Sequence, residues 1–211
     1  CVIYLLSIIW PSEVTLKLNF FSRSQTLVLL AAFFFAAFVG LSDDLLHIYG
    51  YGRFVQDALI YRKVKILLVT LIGIVISYWF YYKLDFESVH IPFNGDWNLG
   101  IWFIPFFVIV MLATFSTSVI DGIDGLSGGV LTSIFTAFAV IAFINNQIDI
   151  SALSGAIAGA ILAFLWFNIP PARFYMGETG MMALTVVMAV IAFLTDSVLL
   201  LPIIALPLAA T

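Results

Sequence analysis

Charge is what this 211-residue chain has least of: 9% of its residues are Asp, Glu, Lys or Arg, while 64% are hydrophobic. Soluble domains carry roughly a quarter charged residues, so a soluble globular domain is excluded and the chain reads as an integral membrane protein. Cysteine is nearly absent too. Cys1 stands alone, which rules out a disulfide framework within the chain and a cysteine-built metal site, and leaves the redox compartment undetermined. Histidine is limited to His47 and His90, each read as a loop or interfacial residue. The alternating pattern of a membrane β-barrel is missing, whereas several apolar stretches approach the roughly 20 residues that a spanning helix needs. Cys1 to Trp10 has neither a basic start nor a small-residue cleavage site, so no signal peptide is expected.

The apolar stretches predict an all-α, polytopic transmembrane helix bundle. Six complete spans are expected, over Thr26–Leu41, Val64–Tyr82, Leu99–Val119, Gly129–Ile144, Ile150–Phe167 and Gly180–Leu194. Cys1–Trp10 reads as the tail of an earlier hydrophobic helix and Val198 onward as the start of a later one, so residues 1–211 read as a single integral-membrane domain truncated at both ends. Between the spans lie the polar stretch Pro11–Gln25, a mixed loop His47–Lys65, and a loop Lys83–Asn98 whose Pro92, Asn94, Gly95 and Asp96 are turn formers. Asn145–Asp149 reads as a short turn, Pro170-Pro171 as a helix stop, and Thr195-Asp196-Ser197 as another turn. Tyr78, Trp79, Tyr81, Tyr82, Trp97 and Trp102 fit an interfacial aromatic belt.

Three polar clusters interrupt the apolar background: Ser42-Asp43-Asp44, then Asp121 through Gly129, then Asn168 through Gly180. Two spans separate each cluster from the next, so all three return to one side of the membrane. Of the eight Lys and Arg, five fall on that side (Arg53, Arg62, Lys63, Lys65, Arg173) and three on the other (Lys17, Arg23, Lys83). The positive-inside rule reads this bias as a cytoplasmic face.

Adjacent carboxylates repel and raise one pKa unless a cation or donors intervene. Asp43-Asp44 therefore suits a general base, a metal site or a partner for Lys63 and Lys65, against the plain alternative of a solvated loop start. In Asp121-Gly-Ile-Asp124-Gly-Leu-Ser-Gly-Gly, two carboxylates three residues apart can share a helical face. Its four glycines let backbone N–H groups approach a phosphate or sugar; close helix packing is the alternative for Gly128 and Gly129. Glu178 precedes a span, where it is either a helix cap or an anionic group placed at a helix N-terminus. Oxygen donors without a His or Cys cluster point to Mg²⁺ or Mn²⁺ rather than Zn²⁺. Carboxylates, a divalent cation, glycine loops and basic residues on one face suit a diphosphate-containing substrate, with a second substrate held in the bilayer.

Taken in order, Gly40-Leu-Ser-Asp43-Asp44, Asp121-Gly-Ile-Asp-Gly-Leu and Phe167-Asn168-x-x-Pro171-Ala172-x-x-Tyr175-Met176-Gly177-Glu178-Thr179-Gly180 resemble the polyprenyl-phosphate N-acetylhexosamine-1-phosphate transferases, glycosyltransferase family 4. The stretches Ile91 to Gly100 and Phe103 to Phe106, with the long basic loop ending at Lys65, are more similar to its phospho-N-acetylmuramoyl-pentapeptide transferases. The resemblance implies ten transmembrane helices in a full-length protein and a site facing the cytoplasm from the inner (cytoplasmic) membrane. It further implies Mg²⁺ and the reaction of a UDP-amino sugar with undecaprenyl phosphate to give a lipid-linked diphosphate sugar and UMP. By the same resemblance Asp43 and Asp44 activate the lipid phosphate, Asp121 lies by the diphosphate and metal, and Glu178 is the metal ligand. Asp124, Asn168 and Tyr175 would line the uridine pocket, with Tyr175 stacking on the base, and Lys65 would contact phosphate, Lys63 being the competing alignment. No nucleic-acid partner is expected, and a homodimer is an arrangement the sequence leaves open.

The chain departs from the family pattern at Ser118, where Asn is common, and at Glu178-Thr179-Gly180-Met181, where Asp-x-Gly-Ser is common. Glu keeps a carboxylate but adds a methylene; Ser keeps an oxygen but loses a carbonyl ligand. The two changes could compensate one another. Competing readings are a UDP-GlcNAc transferase with the same chemistry, a catalytically inactive homologue, and a transporter. Against the last, the acids sit at span ends and no inverted repeat is apparent.

Overall fold

The computed structural model describes residues 24–49, 58–84, 88–91, 95–116 and 125–201. Its helices, in chain order, are α1 (Ser24–Tyr49), α2 (Ala58–Leu84), α3 (Phe103–Ser116), α4 (Leu126–Ile144), α5 (Ile148–Asn168) and α6 (Glu178–Leu194). Strands β1 (Ser88–Ile91) and β2 (Gly95–Asn98) lie between α2 and α3. All six expected spans correspond to helices. Four of them, α1, α2, α4 and α5, contain stretches long and apolar enough to cross a membrane, while the shorter apolar segments are Gly100–Phe115 and Glu178–Leu194. The chain is a multi-pass, all-α membrane bundle.

Several expected boundaries are corrected. Helix α1 runs past Leu41 to Tyr49, so Asp43 and Asp44 sit inside its last turns rather than after it. Helix α2 begins at Ala58, which makes Arg62, Lys63 and Lys65 helical instead of part of a loop. Asp149 belongs to the first turn of α5 rather than to the turn before it, and is buried. Part of the loop Lys83–Asn98 is an antiparallel hairpin pairing Ser88 with Asn98 and Ile91 with Gly95; Gly95 has φ +83°, which glycine adopts without steric cost. Helix α3 is introduced by a 3₁₀ turn, Gly100–Trp102. The segment from Val198 opens as a 3₁₀ turn, Val198–Leu200, and the expected helix tail Cys1–Trp10 lies outside the described residues.

Helix α4 pairs with α5 as an antiparallel hairpin, α2 pairs with α3, and α6 packs along α1 and against α3. Every residue of α6 from Met181 to Leu194 is buried. At about 1.5 Å per residue its 17 residues span roughly 25 Å, short of the roughly 30 Å hydrocarbon core. A short helix surrounded by protein is stable there only if its terminal backbone groups find partners, because the bilayer supplies none. Both ends do. At the C-terminal end Asn145 Nδ2 donates to Thr195 O (3.2 Å) and Gln147 Nε2 to Leu194 O (2.8 Å). The N-terminal end is closed by a carboxylate from α1, described below. Phe103 and Phe107 of α3 pack their rings against Phe193 of α6, and Phe80 of α2 packs against Phe107. On the same side as the α6 C-terminus, Tyr78, Tyr82, Trp97 and Trp102 are exposed, in keeping with an aromatic belt.

Candidate active site

The first and third polar clusters meet because of a glycine. Gly40 lies on α1 where a Cβ would come within 2.6 Å of Thr179 Cα and 2.7 Å of Glu178 O. Only a residue without a side chain lets α1 approach the first turn of α6 so closely. Residues three and four positions along a helix share a face, so Asp43 and Asp44 are delivered to that same turn.

Asp44 uses both carboxylate oxygens there. Oδ1 accepts the Glu178 backbone N–H at 3.2 Å, and Oδ2 accepts the Thr179 backbone N–H at 3.0 Å and the Thr179 hydroxyl at 2.5 Å. The residue in the cap position of α6, Gly177, makes no side-chain cap bond, and a Cβ there would sit 2.8 Å from Asp44 Oδ2. Glu178 is therefore not the cap: a carboxylate from a different helix satisfies the orphan donors of the first turn.

That leaves Glu178 free to face α2. Lys65 Nζ lies 2.6 Å from Asp43 Oδ2 and 2.9 Å from Glu178 Oε1, so one ammonium bridges two carboxylates that are 135 residues apart in sequence. Asp43 is 7% exposed, Lys65 16% and Glu178 39%. The solvated-loop reading of Asp43 is thereby excluded. Of the two candidate lysines, Lys65 enters the site, and Lys63 is exposed. Two carboxylates converging on one cation make a locus that favours positive charge, and their hard oxygens suit a Mg²⁺-like ion. Among the described residues no group of three or more His, Cys, Asp and Glu side chains surrounds such an ion.

The second and third clusters are joined by Asn168, the last residue of α5, which is fully buried. Its Oδ1 accepts the Gly125 N–H at 2.9 Å and its Nδ2 donates to Phe174 O at 3.0 Å. Gly125, with φ +77°, is the cap residue of α4. Asn168 thus locks the glycine turn onto the loop after α5, with both ends of its amide engaged inside the protein. Phe174 stacks on Phe167 and meets Phe164 edge-on, while the next ring, Tyr175, is 53% exposed. Gly128 packs on α5, a Cβ meeting Leu165 Cδ1 at 3.0 Å, but Gly129 has open space, so close packing accounts for only the first of the pair.

Asp121, Asp124 and Ser118 lie outside the described residues. The structure brings Asp43, Asp44, Lys65 and Glu178 into one constellation and joins it through the 168–177 loop to Gly125. Parity counting had placed these clusters on one face, and the hydrogen bonds that link them agree. What sequence reasoning missed is Thr179 as a partner of Asp44 and the clearance role of Gly40 and Gly177. The spacing Gly40-x-x-Asp43-Asp44 was the available signal.

A family model described as glycosyl transferase family 4 matches residues 26–196. The phospho-N-acetylmuramoyl-pentapeptide-transferase of Clostridium beijerinckii is 36% identical over 176 residues, 81% of this chain and 52% of that protein. Proteins of the same name from Caldanaerobacter subterraneus subsp. tengcongensis (33% over 177 residues, 83% and 55%) and Chloroflexus aggregans (33% over 198 residues, 90% and 53%) are similar. The chain spans about half the length of these curated relatives. With the family model running through α1 to the end of α6, the carboxylate constellation included, the chain belongs to glycosyl transferase family 4.

Proposed function

We propose that this chain carries part of the active face of a membrane phosphotransferase. It transfers phospho-N-acetylmuramoyl-pentapeptide from its UDP derivative to undecaprenyl phosphate at the cytoplasmic side of the inner membrane. The observation that carries the reading is the bridging of Asp43 and Glu178 by Lys65: acids from remote segments share one basic group at the end of the spans. In this reaction an oxygen of the lipid phosphate attacks the sugar-bound phosphorus. The bond to the bridging diphosphate oxygen breaks, and UMP leaves with the other phosphate.

The chain's own residues have distinct tasks in this scheme. Asp43 and Asp44 hold the acceptor end of the site, and Lys65 swings between its carboxylate partners and a phosphate oxygen, whose charge it balances. Glu178 and Asp121 would hold Mg²⁺ or Mn²⁺, and the bound ion would supply charge neutralisation on the transferring phosphoryl group. The exposed Tyr175 ring stacks on uracil, with Asp124 contacting the uridine. Asn168, whose amide is committed inside the protein, acts on that pocket by fixing its backbone. Full-length protein given undecaprenyl phosphate with either UDP-MurNAc-pentapeptide or UDP-GlcNAc, with and without Mg²⁺, tests this by UMP release. UMP from the muramoyl substrate alone, dependent on Mg²⁺, is expected; UMP from UDP-GlcNAc alone reassigns the donor, and none from either overturns the enzyme reading.

A further inference from the structure

The C-terminal end of α5 carries a cleft that the transfer scheme leaves unused. Trp166, Phe167, Ile169, Pro170, Pro171 and Arg173 enclose about 420 Å³ there. Trp166 is 78% exposed and Ile169 53%, and Arg173 is exposed as well. Among the described residues the ion pairs are those of Lys65 with Asp43 and Glu178, and no carboxylate pairs with Arg173. We propose that this cleft binds the headgroup phosphate of an anionic phospholipid, with the Arg173 guanidinium on the phosphate and the Trp166 ring beside the glycerol. The proposal does not rest on the transferase reading.

The height of the cleft in the bilayer points to a lipid. Helix α5 has 21 residues, about 31 Å at 1.5 Å each, which matches the roughly 30 Å hydrocarbon core. Trp166 stands two residues before its end and Arg173 five residues beyond it, so the two bracket the headgroup layer, where Trp rings concentrate. The backbone beneath the guanidinium is ordered before any ligand arrives. The Arg173 N–H donates to Phe167 O at 2.9 Å, and the carbonyl of the next residue, Phe174, accepts from the buried Asn168 amide at 3.0 Å. Phe167 and Phe174 stack across the base of the turn, and Pro170 and Pro171 fix φ along its outer edge. An arginine fork matches phosphate oxygens two at a time. Charge then selects the headgroup: a zwitterionic lipid brings an ammonium that opposes Arg173, whereas phosphatidylglycerol leaves its phosphate charge unmatched. This face also carries five of the eight Lys and Arg, and such surfaces gather anionic lipid. Attraction to the negative end of the α5 dipole accounts for a basic residue after the helix, but not for a cleft with an exposed indole beside it.

The test uses full-length protein in phosphatidylcholine nanodiscs and reads the fluorescence of Trp166, taken as the difference between each protein and the same protein carrying Trp166→Phe. Phosphatidylglycerol or phosphatidylcholine with a quenching nitroxide near the top of its acyl chain is titrated in at matched mole fractions. With Arg173 present, half-maximal quenching by the phosphatidylglycerol is expected at a mole fraction about fivefold lower than by the phosphatidylcholine, the preference one basic residue gives at an anionic surface. Arg173→Gln is expected to abolish that preference, and Arg173→Lys, which keeps the charge, to retain most of it. Equal quenching by the two lipids with Arg173 in place would overturn the proposal, as would a preference that survives in Arg173→Gln. The KM for the UDP-sugar, measured in detergent without phosphatidylglycerol, separates the lipid from the nucleotide as the source of phosphate. It is expected to be the same for Arg173→Gln and wild type; a raised KM with the lipid preference intact would assign Arg173 to the nucleotide diphosphate and refute the lipid site. If wild-type protein releases no UMP, the transferase reading fails, and the quenching pattern decides the lipid site by itself.

Discussion

Adding one methyl group at Gly40 should separate the two halves of the site. A Cβ there lies 2.6 Å from Thr179 Cα, 2.7 Å from Glu178 O and 2.8 Å from Thr179 N, all backbone atoms that cannot rotate away. Restoring an ordinary contact of 3.4 Å pushes α1 from α6 by about 0.8 Å. The Asp44 to Thr179 N–H bond, 3.0 Å in the structure, would stretch to roughly 3.8 Å, past the hydrogen-bond range. Overpacking costs about 1–3 kcal/mol, and misplacing site groups by about an ångström can cost on the order of a hundredfold in rate. Gly40→Ala is therefore expected to lower both thermal stability in detergent and kcat for UMP release. Gly155→Ala is the control, since nothing lies within 4 Å of a Cβ there and alanine is favoured over glycine in a helix by about 0.5–1 kcal/mol. Equal behaviour of the two variants would refute the close-approach argument.

Lys65→Met removes the shared ammonium and leaves Asp43 buried beside Glu178. Full loss of one member of a buried pair costs about 3–5 kcal/mol, and the exposure of Glu178 reduces this to roughly 1–3 kcal/mol, measurable as a lower melting temperature together with lost turnover. Asn168→Ala strands the Gly125 N–H and the Phe174 carbonyl, a cost of about 1–3 kcal/mol; its KM for the UDP-sugar should rise more than kcat falls. Gln147→Ala and Asn145→Ala uncap the far end of α6 and should each lower stability by about 1 kcal/mol while leaving kcat at the wild-type value. A kcat defect in those two matching that of Glu178→Ala would mean that the topology is wrong.

The spans were legible because long runs of Leu, Ile, Val, Phe and Ala leave few alternatives in a chain with so little charge. Parity then brought the three clusters to one face, and the link from Asp44 to Thr179 and from Asn168 to Gly125 agrees with that count. The exact end of α1 was not legible: an Asp-Asp pair looks like a helix stop, yet these acids remain helical because α6 and Lys65 receive them. The choice between Lys63 and Lys65 depends on how α2 is rotated, which its nearly uniform apolar surface does not reveal. The hairpin at Ser88–Asn98 was hidden by its turn formers, which read simply as a loop. Least visible of all was the capping of α6, because Asp44 and Thr179 lie 135 residues apart and no local pattern joins them. The caps at the other end, Asn145 and Gln147, were absorbed into a short polar turn for the same reason.

Whether Asp43 and Glu178 work as one unit held by Lys65 is measured most directly by a double-mutant cycle in kcat/KM. The full-length single variants Asp43→Asn and Glu178→Gln and their combination would be compared for UMP release from UDP-MurNAc-pentapeptide. Residues acting as a unit are strongly non-additive, so the double variant should be scarcely slower than the worse single one. Losses that multiply would mean that the two carboxylates act independently and would contradict the account.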